Sequence, residues 1–264
     1  MARKAALELL NRFVAAGRTT FTTADVSDSL GLSASGTSNF LTRLVNDGLI
    51  DRVSRGHYAI RPIGRLGTSA AAEQTALAVA AVFSRRSHRI AYRSALAHHG
   101  LIVHPARVIQ VACPELVRIA ELSGRQLQII NETANTVDVG AVDAGYGARV
   151  SNLERALLDS ARRVELVGGL DVVAEAVETG APDVDTQLLV DQARTVRASP
   201  ALRRLASVAR VLDLDGLAHA LVTGANIAAT PVPADPAEPR PTVWTDSEAG
   251  VVWSSTALDL VRRA

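Results

Sequence analysis

The stretch from Thr22 to Ile60 reads TTADVSDSLGLSASGTSNFLTRLVNDGLIDRVSRGHYAI. Thr22 is placed as a helix N-cap, and Asp25, three residues on, completes a short capping box. That helix runs to Leu30, and Gly31 supplies a left-handed C-cap. Ser33 caps a further helix that Gly48 ends. Two short strands follow around the Arg55-Gly56 turn. Upstream, Ala5 to Ala16 reads as a helix with Leu7, Leu10 and Val14 in an apolar stripe, closed by Gly17. Helix, helix, turn, helix and two-stranded ribbon is the order of a winged helix-turn-helix.

The helix after Ser33 has two unlike faces. On a helical wheel Phe40, Leu41, Leu44 and Val45 fall within about 80 degrees of Thr37 and form the inner arc. The outer arc carries Ser35, Ser38, Asn39, Thr42 and Asn46, with Arg43 on its edge. A solvated helix face usually carries Glu and Lys, which favour helix. This one carries poorer helix formers and no carboxylate before Asp47. Short donors and acceptors suit a major groove, where Asn pairs with adenine, Arg with guanine, and hydroxyls with bases or phosphates. Gly36 costs the helix about 1 kcal/mol against Ala and lets backbone approach a phosphate. Arg52, Arg55 and His57 lie at or beside the hairpin tip, where a wing reaches the phosphate backbone or minor groove. Leu49, Val53, Tyr58 and Ile60 pack its inner side. Arg3, Lys4, Arg12 and Arg18 are candidates for further backbone contacts.

Charge follows the same division. Up to Arg65 there are nine Lys/Arg against five Asp/Glu, a net of +4, whereas the rest is −3. A basic head on a mildly acidic body suits a nucleic-acid-binding module joined to something else. The 264 residues suggest about two domains. Nearly all strong bases are Arg, with Lys4 the one lysine, and Ala is abundant, as in a GC-rich bacterial genome. Cys113 is the one cysteine, so no intrachain disulfide forms. MARKAALELL has no long apolar core of a signal peptide, and ALAVAAVF, ending at Phe83, is too short to span a bilayer. A soluble cytoplasmic protein is expected.

Beyond the head, residues 61–69 read as a linker containing Pro62, Gly64 and Gly67. A helix to about Arg86 and a short one over Ala91–His99 follow. Strands are expected over Val108–Ala112, Leu127–Ile130 and Thr136–Val142. Helices are expected over roughly 151–163, 168–179, 185–197, 200–212 and 215–223. Ala229 to Pro241 holds half of the prolines and reads as an extended connector. Thr242 to Ser254 suggests a hairpin with Trp244 and Trp253, and a short amphipathic helix closes the chain.

Two later blocks carry a resemblance. AYRSALAHHGLIVHPARVIQVACP (Ala91–Pro114) and VSNLERALLDSARRVELVGGLDVVAEAV (Val150–Val177), with the head, resemble the AbiEi antitoxins, the transcriptional-regulator half of type IV toxin–antitoxin systems. The resemblance implies an α+β chain: a winged helix-turn-helix over 1–64, then a larger mixed α/β antitoxin domain over 65–264 ending in a helical region. The latter divides into lobes of about 65–150 and 151–264. It implies binding to double-stranded DNA at the chain's own promoter, autorepression, and neutralisation of a nucleotidyltransferase-like toxin. Neutralisation need not run through a stable toxin complex. No cofactor, metal or catalytic residue is implied.

In the second block, Ser151 and Glu154 read as a capping box. Leu153, Leu157, Leu158 and Ala161 form the inner face of the helix. Arg155 and Asp159 are placed as an outer pair worth about 0.3 kcal/mol.

Two rival readings remain. A winged-helix repressor could carry a ligand-sensing C-terminal domain. A nucleotidyltransferase could use Gly168-Gly169 for phosphate and Asp183 with Asp185 for metal, although both acids sit where a helix start explains them. His98, His99 and His104 lack metal-ligand spacing. Cys113 reads as a small buried hydrophobe, and Gly140, Gly145 and Gly147 make no phosphate loop.

Overall fold

A computed structural model describes residues 2–61, 70–104, 107–225, 230–237 and 241–264. The chain forms two compact units. One comprises Met1–Ile90, Arg107–Asn131 and Asp143–Arg149; the other comprises Ala91–Ala106, Glu132–Val142 and Val150–Ala264. The expected boundary at 64/65 lies outside the described residues, as does all of the linker expected over 61–69 except Arg61. The fold is mixed α+β. Among the described residues, no helix is long and apolar enough to cross a membrane.

The first unit begins with α1 (Ala2–Ala15), β1 (Thr20–Thr22), α2 (Thr23–Leu30), α3 (Ala34–Asn46), β2 (Ile50–Ser54) and β3 (His57–Ile60). The three strands make an antiparallel sheet in the order β1-β3-β2. The caps form where their residue types require them. The Thr22 hydroxyl accepts from the Asp25 amide at 3.2 Å, and the Asp25 carboxylate accepts from the Thr22 amide at 2.7 Å. Gly31 takes φ +62° and closes α2. Ser33 caps α3 through the Gly36 amide at 3.2 Å.

Ala6, Leu9, Leu10, Phe13, Phe21, Val26, Leu41, Leu44, Ile50 and Tyr58 meet in one core. Phe21 stacks between Phe13 and Tyr58, with centroids 5.1 and 5.9 Å away. Each such buried side chain contributes about 1.5–3 kcal/mol. The stripe of α1 is therefore Ala6, Leu9, Leu10 and Phe13. Leu7 and Val14, expected inside with Leu10, lie on the far side of the helix and are about half exposed.

The unit continues with α4 (Ala70–Phe83), β4 (Arg89–Ile90), β5 (Ile109–Cys113), β6 (Glu121–Leu122), β7 (Arg125–Asn131), β8 (Ala141–Gly145) and β9 (Ala148–Ser151). Their sheet runs β6-β7-β5-β4-β9-β8. β5 pairs parallel with β7 and antiparallel with β4. Every residue of β5 is buried, as in a strand covered on both faces. Its one polar member, Gln110, meets Gln128 of β7 at 2.9 Å.

The second unit contains α5 (Tyr92–His98), α6 (Ala134–Val137), α7 (Leu153–Arg162), α8 (Val164–Val167), α9 (Leu170–Gly180), α10 (Thr186–Thr195), α11 (Ser199–Val211), α12 (Asp215–Gly224) and α13 (Ser255–Arg263). A small sheet of β10 (Val232–Pro233), β11 (Thr242–Asp246) and β12 (Val251–Ser254) has the order β10-β12-β11. Trp253 on β12 is fully buried and donates to the Ser207 hydroxyl at 2.9 Å. Parts of the proline-rich connector, Ala229 and 238–240, lie outside the described residues; its middle supplies β10.

Helix α7 packs against α5, α9, α10 and α11. Glu154 through Ala161 are all buried, so this helix has no solvent face in its central turns. Three expectations change here. The strand over Thr136–Val142 is instead the turn of α6 followed by β8. The Val137 amide bonds back to Thr133 O at 3.0 Å, and Gly140 at φ +69° redirects the chain. The cap of α7 is Asn152, whose side chain accepts from the Arg155 amide at 2.9 Å, because Ser151 is the last residue of β9. Glu154 accepts instead from the Asp185 amide at 3.1 Å.

The third change is Arg155 with Asp159. They pair at 2.8 Å, but both side chains are 0% exposed. Arg155 also reaches Glu132 at 3.1 Å and the carbonyls of Val139 and Thr136 at 3.1 and 3.3 Å. It is the polar centre of the second unit rather than a surface decoration.

Candidate nucleic-acid interface

Helix α3 buries Thr37, Leu41 and Leu44, with Phe40 and Val45 half-buried against the same core. Thr37 is a buried hydroxyl, satisfied by donating to Ser33 O at 3.0 Å. The opposite arc, Ser35, Ser38, Asn39, Thr42, Arg43 and Asn46, is exposed. Two of these hydroxyls are engaged locally: Ser35 shares a hydrogen bond with Ser33 at 3.2 Å, and Thr42 donates to Ser38 O at 2.9 Å. The Asn39 amide and the Arg43 guanidinium, one turn apart, have no side-chain partner among the described residues. Their donors and acceptors remain available to a ligand.

The hairpin beside α3 is short. Arg52 faces Tyr58, Ser54 faces His57, and Arg55-Gly56 makes the turn, with Gly56 at φ +81°. The tip is fastened from two sides. Gly56 O accepts the Thr23 amide at 3.0 Å, which ties it to the start of α2, and β1 pairs along β3 from Thr22↔His57 to Thr20↔Ala59. Val53 O, on the outer edge, accepts the Ser123 amide of the β6–β7 turn at 2.8 Å. Arg52 and Arg55 are exposed, with no carboxylate partner among the described residues. His57 is half-buried, its Nδ1 within 3.2 Å of both the Ser54 hydroxyl and Arg55 O. The inner side of the ribbon is Ile50, Val53 and Tyr58, with Leu49 and Ile60 partly buried. The turn thus carries two exposed arginines and the half-buried His57 on a frame that holds it in place.

Of the other expected contacts, Arg18 is committed internally. Arg18 pairs with Asp25 at 2.9 Å and lies over the Phe13 ring at 5.0 Å. Burial works to raise the Asp25 carboxyl. The hydrogen bonds from Thr22 and Arg18 outweigh it and hold the group below its ordinary value. Arg61 pairs with Asp51 at 2.5 Å. Arg12 is exposed on α1, whereas the side chains of Arg3 and Lys4 are outside the described residues. The strand β1 was not legible in the sequence: its three residues, Thr-Phe-Thr, end in the cap of α2.

The residues of the enzyme reading are dispersed in roles of their own. Gly168 and Gly169 make the left-handed turn between α8 and α9, at φ +105° and +138°. Asp183 lies in a 3-10 turn, and Asp185 caps α10 through the Leu188 amide at 3.0 Å. Neither acid is on a strand. His99 Nε2 sits 2.6 Å from Ser151 O, so that nitrogen carries the proton. Burial and neighbouring His99 push His98 down. Cys113 is buried on β5, and burial raises its thiol, which keeps it un-ionised. Among the described residues no group of three His, Cys, Asp or Glu could hold a metal.

Residues 8–61 match the model of the family described as "Transcriptional regulator, AbiEi antitoxin". The match runs from α1 to the end of β3 and contains every residue of the surface described above. It covers about a fifth of the chain and concerns that segment alone.

In fold, the whole chain is similar to the crystal structure of the RV2827C protein from Mycobacterium tuberculosis. The TM-score is 0.61, with 98% of this chain and 94% of that one covered at 16% identity. No curated protein sequence matches the chain significantly.

Proposed function

We propose that residues 1–64 are a winged helix-turn-helix that reads double-stranded DNA. In this reading α3 is the recognition helix and the β2–β3 turn is the wing. Asn39 and Arg43 face base edges; Ser35, Ser38 and Thr42 line the groove; Arg52, Arg55 and His57 meet the backbone. The observation that carries it is the outer arc of α3, polar, short and unpartnered at Asn39 and Arg43, next to two unpaired arginines. A duplex offers the complementary surface, since its major groove admits a helix and its phosphates take the cations. The family description of residues 8–61 supports the regulatory role.

We further propose that the chain is an antitoxin which represses its own operon and counters a nucleotidyltransferase-like toxin, the function carried by residues 65–264. The test has two halves. The full chain should bind a duplex taken from directly upstream of its own gene. Asn39→Ala and Arg43→Ala should each lose about 1–3 kcal/mol of that specific affinity. Co-expression should relieve growth arrest caused by the toxin gene beside it. Binding without rescue would leave a repressor of another kind.

A further inference from the structure

A cleft of about 500 Å³ opens on the first unit, on the side of the head that carries β1. Its walls are Gly17 to Thr22, from the turn after α1 through β1, Asp25 of α2, His57 of β3, the C-terminal end of α4 with Ser84, Arg85 and Arg86, and Tyr146. His57 belongs to the proposed wing, so this cleft begins where the wing ends. Three arginines line it. Arg18 is neutralised by Asp25 at 2.9 Å, and Arg86 meets Glu115 at 3.2 Å. Arg85 is exposed and has no partner among the described residues. The Thr19 hydroxyl, in the same wall, is a buried polar atom without a hydrogen-bond partner among the described residues.

The segment carrying Arg85 is tied back on both sides by hydrogen bonds. The Arg86 amide donates to Phe83 O at 2.8 Å and the Ser84 amide to Ala80 O at 3.2 Å. Buried His88 then locks the turn from the other side. The Arg149 amide donates to its Nε2 at 3.2 Å, which leaves Nδ1 to donate to Arg86 O at 2.9 Å. The His88 ring rests on Phe83 at 5.6 Å. A guanidinium on a fixed turn binds an anion with little ordering cost at the backbone.

We propose that the sugar–phosphate backbone passing the wing continues into this cleft, and that Arg85 contacts one of its phosphates. The inference rests on the DNA-binding reading above. It extends the interface past residue 61, to the turn that follows α4 in the same unit. A contact of this kind carries no sequence information. It strengthens binding to every duplex and adds one released counterion to the salt dependence.

The experiment uses the full chain, a duplex from upstream of its gene and an unrelated duplex of equal length, titrated across a range of salt. Arg85→Ala should weaken both duplexes alike, by roughly 3- to 10-fold, and lower the log–log salt slope by about 1. Arg85→Glu should lower both further. Exposed Arg263, in the other unit, serves as the control, and Arg263→Ala should leave affinity and slope unchanged.

Wild-type affinity and slope in Arg85→Ala, while Asn39→Ala or Arg43→Ala still impair the upstream duplex, would overturn this inference and spare the recognition helix. So would equal losses in Arg85→Ala and Arg263→Ala, which reflect net charge alone, or a loss confined to the upstream duplex. Failure of the unaltered chain to bind either duplex would remove the underlying reading, and this inference with it.

Discussion

Replacing Arg155 by Met keeps most of its volume and deletes its charge. The structure sets the scale of the result. Nε donates to Asp159 at 2.8 Å, Nη2 to both oxygens of Glu132 at 3.1 and 3.3 Å, and Nη1 to Val139 O and Thr136 O. The Arg155 and Asp159 side chains are 0% exposed and Glu132 only 7%. Without the guanidinium two carboxylates share a water-poor site. Each can stay charged there or take up a proton, and protonating an ordinary carboxyl at pH 7 costs about 4 kcal/mol.

Breaking a buried pair from one side typically costs about 3–5 kcal/mol, and that range is expected for Arg155→Met in urea unfolding followed by circular dichroism. The loss should change little with added salt, because no solvent reaches the pair. The triple variant Arg155→Met/Asp159→Leu/Glu132→Met should recover much of it, since apolar replacements of buried ion networks are often neutral. Arg194→Ala breaks a pair of the same kind that is more than half exposed on both sides; it should cost under about 1 kcal/mol. If Arg155→Met costs no more than Arg194→Ala, the network does not hold the second unit together and the reasoning fails.

Three further outcomes are expected. Gly140→Ala should destabilise by about 1–3 kcal/mol, because its φ is +69° and a Cβ would stand 2.7 Å from Arg155 Cβ and 2.8 Å from Asn152 Oδ1; an unchanged urea midpoint would contradict this. Asp25 is held below its ordinary value of 3.8, so its stabilisation is present above that pH and fades as pH falls through the lower folded value. The stability gap between the unaltered chain and Asp25→Asn should accordingly shrink between about pH 5 and pH 3, and a gap that widens on acidification would reverse the sign. Arg55→Ala should weaken binding to related and unrelated duplexes alike and reduce the salt slope by about 1, as measured by anisotropy titration; an unaltered slope would mean that the turn does not touch phosphate.

The head was legible because its signals are local. A cap and its partner are three residues apart, so Thr22 with Asp25 and Ser33 with Gly36 declare themselves in the chain, as does Gly31 at the end of α2. The two arcs of α3 follow from 100 degrees per residue and needed no partner element to be known. By contrast β4, β6, β8 and β9 are two to five residues long and exist through pairing with distant strands, which no local pattern announces. The turn of α6 was read as a strand from its β-branched run, whereas the Thr133 carbonyl and Gly140 decided otherwise.

Arg155 shows the limit most clearly. Its spacing from Asp159 is that of any exposed i, i+4 pair, and the leucines of α7 mark one inner face. The other face is covered by residues 132–142 and by α10, and nothing within α7 encodes that cover. The same holds for Arg85, whose place in the cleft that His57 also lines is set by how α4 lies against β1 and β3.

The most direct measurement is the affinity of the full chain for the duplex upstream of its own gene, against an unrelated duplex, for the unaltered protein and for Asn39→Ala/Arg43→Ala. The unaltered chain should prefer the upstream duplex. The double variant should lose that preference, by roughly 5- to 150-fold for each base contact removed, while keeping its weaker, salt-sensitive hold on both. Undiminished preference in the double variant would show that α3 does not read DNA.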